Sequence, residues 1–264
     1  MRIPKSSSGE MPFLDHLEEL RWRIIYSLAA LIVGVVIGFV VANTFHVIDW
    51  LQKPVLPYLP PGQTLVSTRV TATFSVLMQT AFVIGIALAL PVIGYQVWAF
   101  LSPALYKNER RIVIPILFVA VILFAAGVAL AYFLVIPLTL KFLFGLESAS
   151  LTPMIGVSEY FSFVTSMCLA FGIIFEVPIV LVGLSAFGIV SPQALGGVRK
   201  YAVVVCWIAS AVVTPGDLFT TTLALAIPLY FLYEASVAVS WIIYRRRAKR
   251  RAAELAAEQG GATA

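Results

Sequence analysis

The sequence predicts an all-α integral membrane protein: six transmembrane helices in a kinked, concave bundle, with a short fifth span and both termini cytoplasmic. Three observations carry that prediction. The first is composition: of 264 residues, 61% are hydrophobic and 12% charged, with a mean hydropathy of +0.97. A soluble domain is about 45–50% apolar and about 25% charged. The second is continuity: the apolar residues fall into six long runs rather than alternating, which selects helices over membrane strands. The third is the sidedness of the basic residues, set out below.

The same numbers exclude an ordinary soluble enzyme and a disordered chain. The sequence pI of about 9.3 does not argue for nucleic-acid binding, because the basic residues flank apolar runs rather than covering a soluble face. Cys168 and Cys206 both lie inside apolar runs. They read as small buried hydrophobes, not as a disulfide framework or a zinc site.

The elements follow in order. The first run covers residues 22–42; it is long, follows a charged segment and lacks a clean cleavage pattern, so it is a retained span. The others cover residues 73–101, 112–144, 158–187, 200–213 and 218–244. A bilayer core of about 30 Å needs about 20 helical residues, so the fifth run is short and local thinning is expected around it. Pro91, Pro115, Pro137, Pro178 and Pro228 interrupt the runs and predict kinks. Gly34 and Gly38 form a G-x-x-x-G in the first span, a signal for close helix packing.

Orientation comes from Lys and Arg. With the N-terminus inside, the inner side holds Arg2, Lys5, Arg21, Arg23, Lys107, Arg110, Arg111, Arg199, Lys200 and the tail cluster Arg245, Arg246, Arg247, Lys249, Arg250 and Arg251. That is fifteen of the eighteen basic residues; Lys53, Arg69 and Lys141 remain outside. Both termini are therefore cytoplasmic, and the tail contacts anionic lipid rather than nucleic acid. The long outer loop, residues 43–72, carries Pro54, Pro57, Pro60, Pro61 and Gly62 and reads as a stiff, turn-rich cap. The chain thus divides into a cytoplasmic segment, 1–21, a six-span domain, 22–244, and a basic, disordered tail, 245–264. No internal repeat is visible.

Catalysis has no candidate cluster: there is no P-loop, no H-E-x-x-H and no G-x-S-x-G. Three stretches carry information instead. In PFLDHLEELRWR, residues 12–23, apolar side chains recur at helical spacing opposite Asp15, Glu18, Glu19, Arg21 and Arg23. This is an amphipathic helix on the inner surface that runs into the first span. Its acids are unexpected beside anionic lipid; either they form intrahelical pairs such as Glu19 with Arg23, or they await a cationic guest. In QVWAFLSPALYKNERR, residues 96–111, Ser102–Pro103 marks a helix start. Glu109 there is either in a local ion pair with Arg110 or Arg111, or a second inner carboxylate for the same guest. Finally, Glu176 and Glu234 lie within apolar runs. A charge at mid-bilayer costs at least ~2.5–3.5 kcal/mol on insertion scales, so such acids face the bundle interior or water. Whether Glu234 is buried depends on how far the sixth span runs. In TPGD, residues 214–217, Asp217 reads as an N-cap of the sixth helix.

HLEELRWR, YQVWAFLSPALYKNERR, AYFLVIP, AFGIIFEVPIV and TPGDLFTT stand in the order and spacing of the TatC family, which the chain resembles from Phe13 to about Trp241. TatC is the six-span core subunit of the twin-arginine (Sec-independent) protein translocase of the cell (inner) membrane. The resemblance implies binding of twin-arginine signal peptides, partnership with single-span TatA and TatB proteins, self-association, and passage of folded proteins driven by the proton gradient. It implies no enzyme activity and no cofactor. By motif match, the signal-peptide site falls on Glu19 and Glu109, with Arg21, Phe100 and Arg111 beside them. The intramembrane glutamate matches Glu176, the proline of the outer cap Pro54, and the aspartate of the last outer turn Asp217. Two positions depart from the pattern: Gly216 replaces a proline common in relatives, and Thr221 replaces a glutamine associated with TatB-type contact. The alternative is a proton-coupled small-molecule transporter with Glu176 as relay; the missing repeat and the single clearly buried acid speak against it.

Overall fold

The computed structural model describes residues 13–60, 62–101, 110–146, 154–186, 188–214 and 219–261. Its elements are α1 (Phe13–Thr44), α2 (Val47–Leu51), a 3₁₀ turn (Lys53–Tyr58), α3 (Ala72–Leu101), α4 (Arg110–Leu130), a π turn (Ala131–Val135), α5 (Ile136–Gly145), α6 (Val157–Ile174), α7 (Val177–Ala186), α8 (Pro192–Gly197), α9 (Arg199–Val213) and α10 (Thr220–Gly261). Ser102, Pro103, Glu109, Gly216 and Asp217 lie outside the described residues, as does the side chain of Arg111.

Among the described residues, five helical stretches are long and apolar enough to cross a membrane: Asp15–Thr44, Ala72–Phe100, Ile114–Gly145, Val157–Ala186 and Thr220–Arg246. The protein is thus an all-helical, multi-pass membrane protein. The fifth expected span, α9, has 15 residues. At about 1.5 Å per residue it reaches about 22 Å, short of a bilayer core of about 30 Å.

Boundaries differ from the sequence expectation where local chemistry intervenes. The amphipathic entry segment is one continuous helix with the first span; no proline or glycine separates them. Of the five prolines, two interrupt their helices. Pro137 has no N–H to give the carbonyl four residues back, and the π turn over Ala131–Val135 absorbs the mismatch. Pro178 likewise has no N–H for the carbonyl of Ile174, where α6 ends; Glu176 N–H reaches back only to Ile173 O, at 3.0 Å. Pro91, Pro115 and Pro228 sit inside continuous helices. The tail read as disordered is helical to Gly261; its alanines, glutamates and arginines are strong helix formers.

The chain forms two compact units, residues 1–47 with 77–121 and residues 48–76 with 122–264. In the first, α1 packs on α3 through small residues. A Cβ on Gly34 would lie 2.5 Å from the Gly85 carbonyl oxygen, and one on Gly38 would meet the Ala81 carbonyl. The second unit is built differently. Phe124, Phe161, Phe171, Ile136 and Leu225 are among its fully buried side chains. The Phe124 ring lies against Gly172, where a Cβ would come within 2.6 Å of it.

Candidate functional site

On α1, successive helical turns bring His16, Glu19 and Arg23 together. Glu19 Oε1 accepts two bonds from Arg23, from Nε at 3.0 Å and from Nη2. Arg23 Nη1 also donates to Gln96 Oε1 on α3 at 3.4 Å. The intrahelical pair that the spacing allows is therefore formed. It uses only one of the two carboxylate oxygens. Glu19 Oε2 is buried and accepts no hydrogen bond; His16 Nδ1 stands 3.8 Å from it. The His16 ring stacks on Phe100, centroid to centroid 4.4 Å and 15° between planes. Phe100 on α3 thus reaches the Glu19 neighbourhood through His16. The sequence assigns His16 no role in this site, although its place three residues before Glu19 on the same helix is a usable signal. Arg21, Asp15 and Glu18 are exposed.

The intramembrane acids have opposite surroundings. Glu176 occupies the break between α6 and α7, and its Oε1 is buried without a hydrogen-bond partner. Glu234 on α10 is paired: its Oε2 lies 3.0 Å from Arg199 Nη2 on α9, and its Oε1 accepts from Tyr230 at 2.9 Å. Arg199 is the residue the sequence does not connect to it. Their separation of 35 positions hides a contact that the packing of α9 on α10 creates.

The cap between α1 and α3 is tied down at several points. Pro54 opens the 3₁₀ turn, and Val55 is fully buried beneath it. Two tyrosines from the helical wall hold α2 by its last carbonyls: Tyr132 O–H donates to Trp50 O, and Tyr160 O–H to Leu51 O at 2.7 Å. Lys53 Nζ sits 3.9 Å from the Trp50 ring centroid. Val66 pairs with the segment before α6, donating to Ile155 O and accepting from Val157 N–H, both at 2.9 Å. Thr221, at the start of α10, is buried.

Residues 15–228 match the family described as Sec-independent protein translocase protein (TatC). The chain is 39% identical to the TatC protein of Aquifex aeolicus over 239 residues, covering 90% of this chain and 98% of that protein. It is 39% identical to the TatC protein of Escherichia coli K12 over 232 residues, 88% of this chain and 89% of that one. A crystal structure of the twin-arginine translocase receptor TatC superposes with a TM-score of 0.68 at 39% identity, covering 87% of this chain and 99% of the solved one. A second, of the receptor in DDM, gives 0.71 at 40% identity over 85% of this chain and 99% of that one.

Proposed function

Because the chain belongs to the TatC family, as the signal-peptide receptor subunit of a twin-arginine translocase, we propose that Glu19 and Glu109 grip the arginine pair of the signal. The observation that carries this is the half-used Glu19 carboxylate. Arg23 holds one oxygen and fixes the side chain, while the other is buried, unbonded and facing a histidine. Leaving a buried carboxylate oxygen without a donor costs about 1–3 kcal/mol or more. An incoming guanidinium recovers that cost, since its planar fork supplies two donors. Glu109 enters from the sequence, as the second carboxylate a second arginine requires. Phe100 reaches the site through His16; Arg21 and Arg111 join it by the family motif.

The rest of the reading follows the family. The termini are cytoplasmic, residues 22–244 form the membrane domain, and α9 is the short fifth of six crossings. Glu176 is an intramembrane docking point for a single-span TatA- or TatB-type partner or for an inserted signal. Pro54 and Asp217 shape the outer cap and last turn. Folded precursors cross with these partners at the expense of the proton gradient; the protein is a transport component, not an enzyme.

The test is photocrosslinking of a twin-arginine precursor to the double variant Glu19→Lys with Glu109→Lys. Crosslinking is expected to vanish. Crosslinks at the level of the parent protein would refute the clamp.

A further inference from the structure

The Glu19 cluster contains one contact that the clamp leaves unused. Glu19 Oε2, the oxygen left for the guest arginine, is buried. A guanidinium bonds it only if a neighbouring side chain moves aside. The two neighbours on α1 are held differently. Arg23 is anchored at three nitrogens: Nε and Nη2 donate to Glu19 Oε1, and Nη1 donates to Gln96 Oε1 on α3 at 3.4 Å. His16 is held by its stack on Phe100, and its Nδ1 stops 3.8 Å from Oε2, beyond hydrogen-bond distance. Its side chain is 44% exposed, so it has solvent to move into. Moving Arg23 breaks three hydrogen bonds, whereas moving His16 breaks one ring stack. His16 is therefore the side chain that yields.

The same position makes His16 a competitor. Imidazole is the side-chain group whose charge ordinarily changes between about pH 5 and 8, and its protonated form donates from both nitrogens. A neutral ring leaves Oε2 open. A protonated ring offers that oxygen a charged N–H donor, the same kind of partner a guanidinium brings. On α1 the ring faces Glu19, whose other oxygen Arg23 holds, while Asp15, Glu18 and Arg21 are exposed. From α3 the cluster receives Phe100 and Gln96, neither of which titrates, and Tyr95 packs on Trp98. Protonation thus adds one positive charge beside a carboxylate that Arg23 has already half-neutralised.

We propose that His16 is a positioning residue of the clamp: stacked on Phe100, it occupies the approach to Glu19 Oε2, swings out when the signal arginine binds, and in its protonated form competes with that arginine. This rests on the clamp reading and adds to it a control of affinity. A proton held between His16 and Glu19 is released when the arginine takes the oxygen. Affinity for the signal therefore rises with pH through the imidazole range and levels off above it, where the protonated competitor is gone.

The test uses the full chain in phosphatidylcholine nanodiscs and a histidine-free twin-arginine peptide with a blocked N-terminus and a pH-insensitive dye. Its affinity is read by fluorescence anisotropy from about pH 5.5 to about pH 8, where imidazole titrates. The parent is expected to bind about fivefold more weakly at the acid end, the upper scale of a partly exposed ion pair. His16→Phe keeps an aromatic ring for the stack and cannot be charged. It should lose the pH slope and bind about fivefold more tightly than the parent at the acid end. His16→Gln, polar but uncharged, should do the same. His16→Lys, charged throughout, should bind weakly across the whole range. A slope that persists in both neutral variants, a parent without a slope, or loss of binding in both neutral variants at every pH would overturn the proposal. Glu19→Lys with Glu109→Lys is read in the same assay. Binding at the parent level there sinks the clamp itself, whereas binding lost there with the slope intact in His16→Phe and His16→Gln sinks only the role of His16.

Discussion

At the residue scale, the acids differ by what neutralises them. Glu19 is half-neutralised by Arg23, Glu234 is matched by Arg199 and Tyr230, and Glu176 has a buried oxygen with no donor. A buried oxygen without a donor adds nothing to stability by bonding, so removing it is cheap. Glu176→Ala should therefore leave the melting temperature within a few degrees of the parent and abolish at least nine-tenths of precursor transport; full transport in inverted vesicles would exclude a docking role. Sequence alone singles out Glu176 because an isolated acid in an apolar run is too costly to insert without a use. It could not rank Glu234, whose partner is supplied by packing rather than spacing. His16 escapes the sequence for a related reason: a stack on Phe100 joins two helices distant in sequence.

At the element scale, the helices are legible as apolar runs, but their interruptions are not legible from prolines alone. A proline breaks a helix only where neighbours do not restore the lost bond. Pro137 follows a π turn and Pro178 a helix break, whereas Pro91, Pro115 and Pro228 lie inside continuous helices. The G-x-x-x-G is a sounder guide, because it names the face on which backbones touch. Gly34 faces the Gly85 carbonyl at a distance that admits no side chain. Overpacking of this kind costs typically about 1–3 kcal/mol. Gly34→Leu is expected to lower the melting temperature in detergent and to reduce yield, whereas Gly196→Ala, with nothing within 4 Å of its added Cβ, should be neutral. Equal melting of the two variants would mean that α1 and α3 do not depend on this contact.

At the scale of the whole molecule, orientation rests on a single physical asymmetry: basic residues are translocated poorly and stay with the cytoplasmic leaflet. If the N-terminus is cytoplasmic, the charge count expects fifteen of the eighteen inside, so the orientation of the chain and the accessibility of the proposed clamp to a cytoplasmic precursor are one prediction. The charge count carries it without any knowledge of how α9, too short for the membrane, is accommodated. The claim is checked with two single-cysteine proteins in which Cys168 and Cys206 are replaced by alanine. Lys53→Cys, on the 3₁₀ turn of the cap, should react with a membrane-impermeant maleimide in intact cells. Arg246→Cys, at the far end of the last apolar stretch, should react only after lysis. The opposite pattern would put Glu19 outside. No cytoplasmic precursor could then reach it, and the clamp would fail together with the topology.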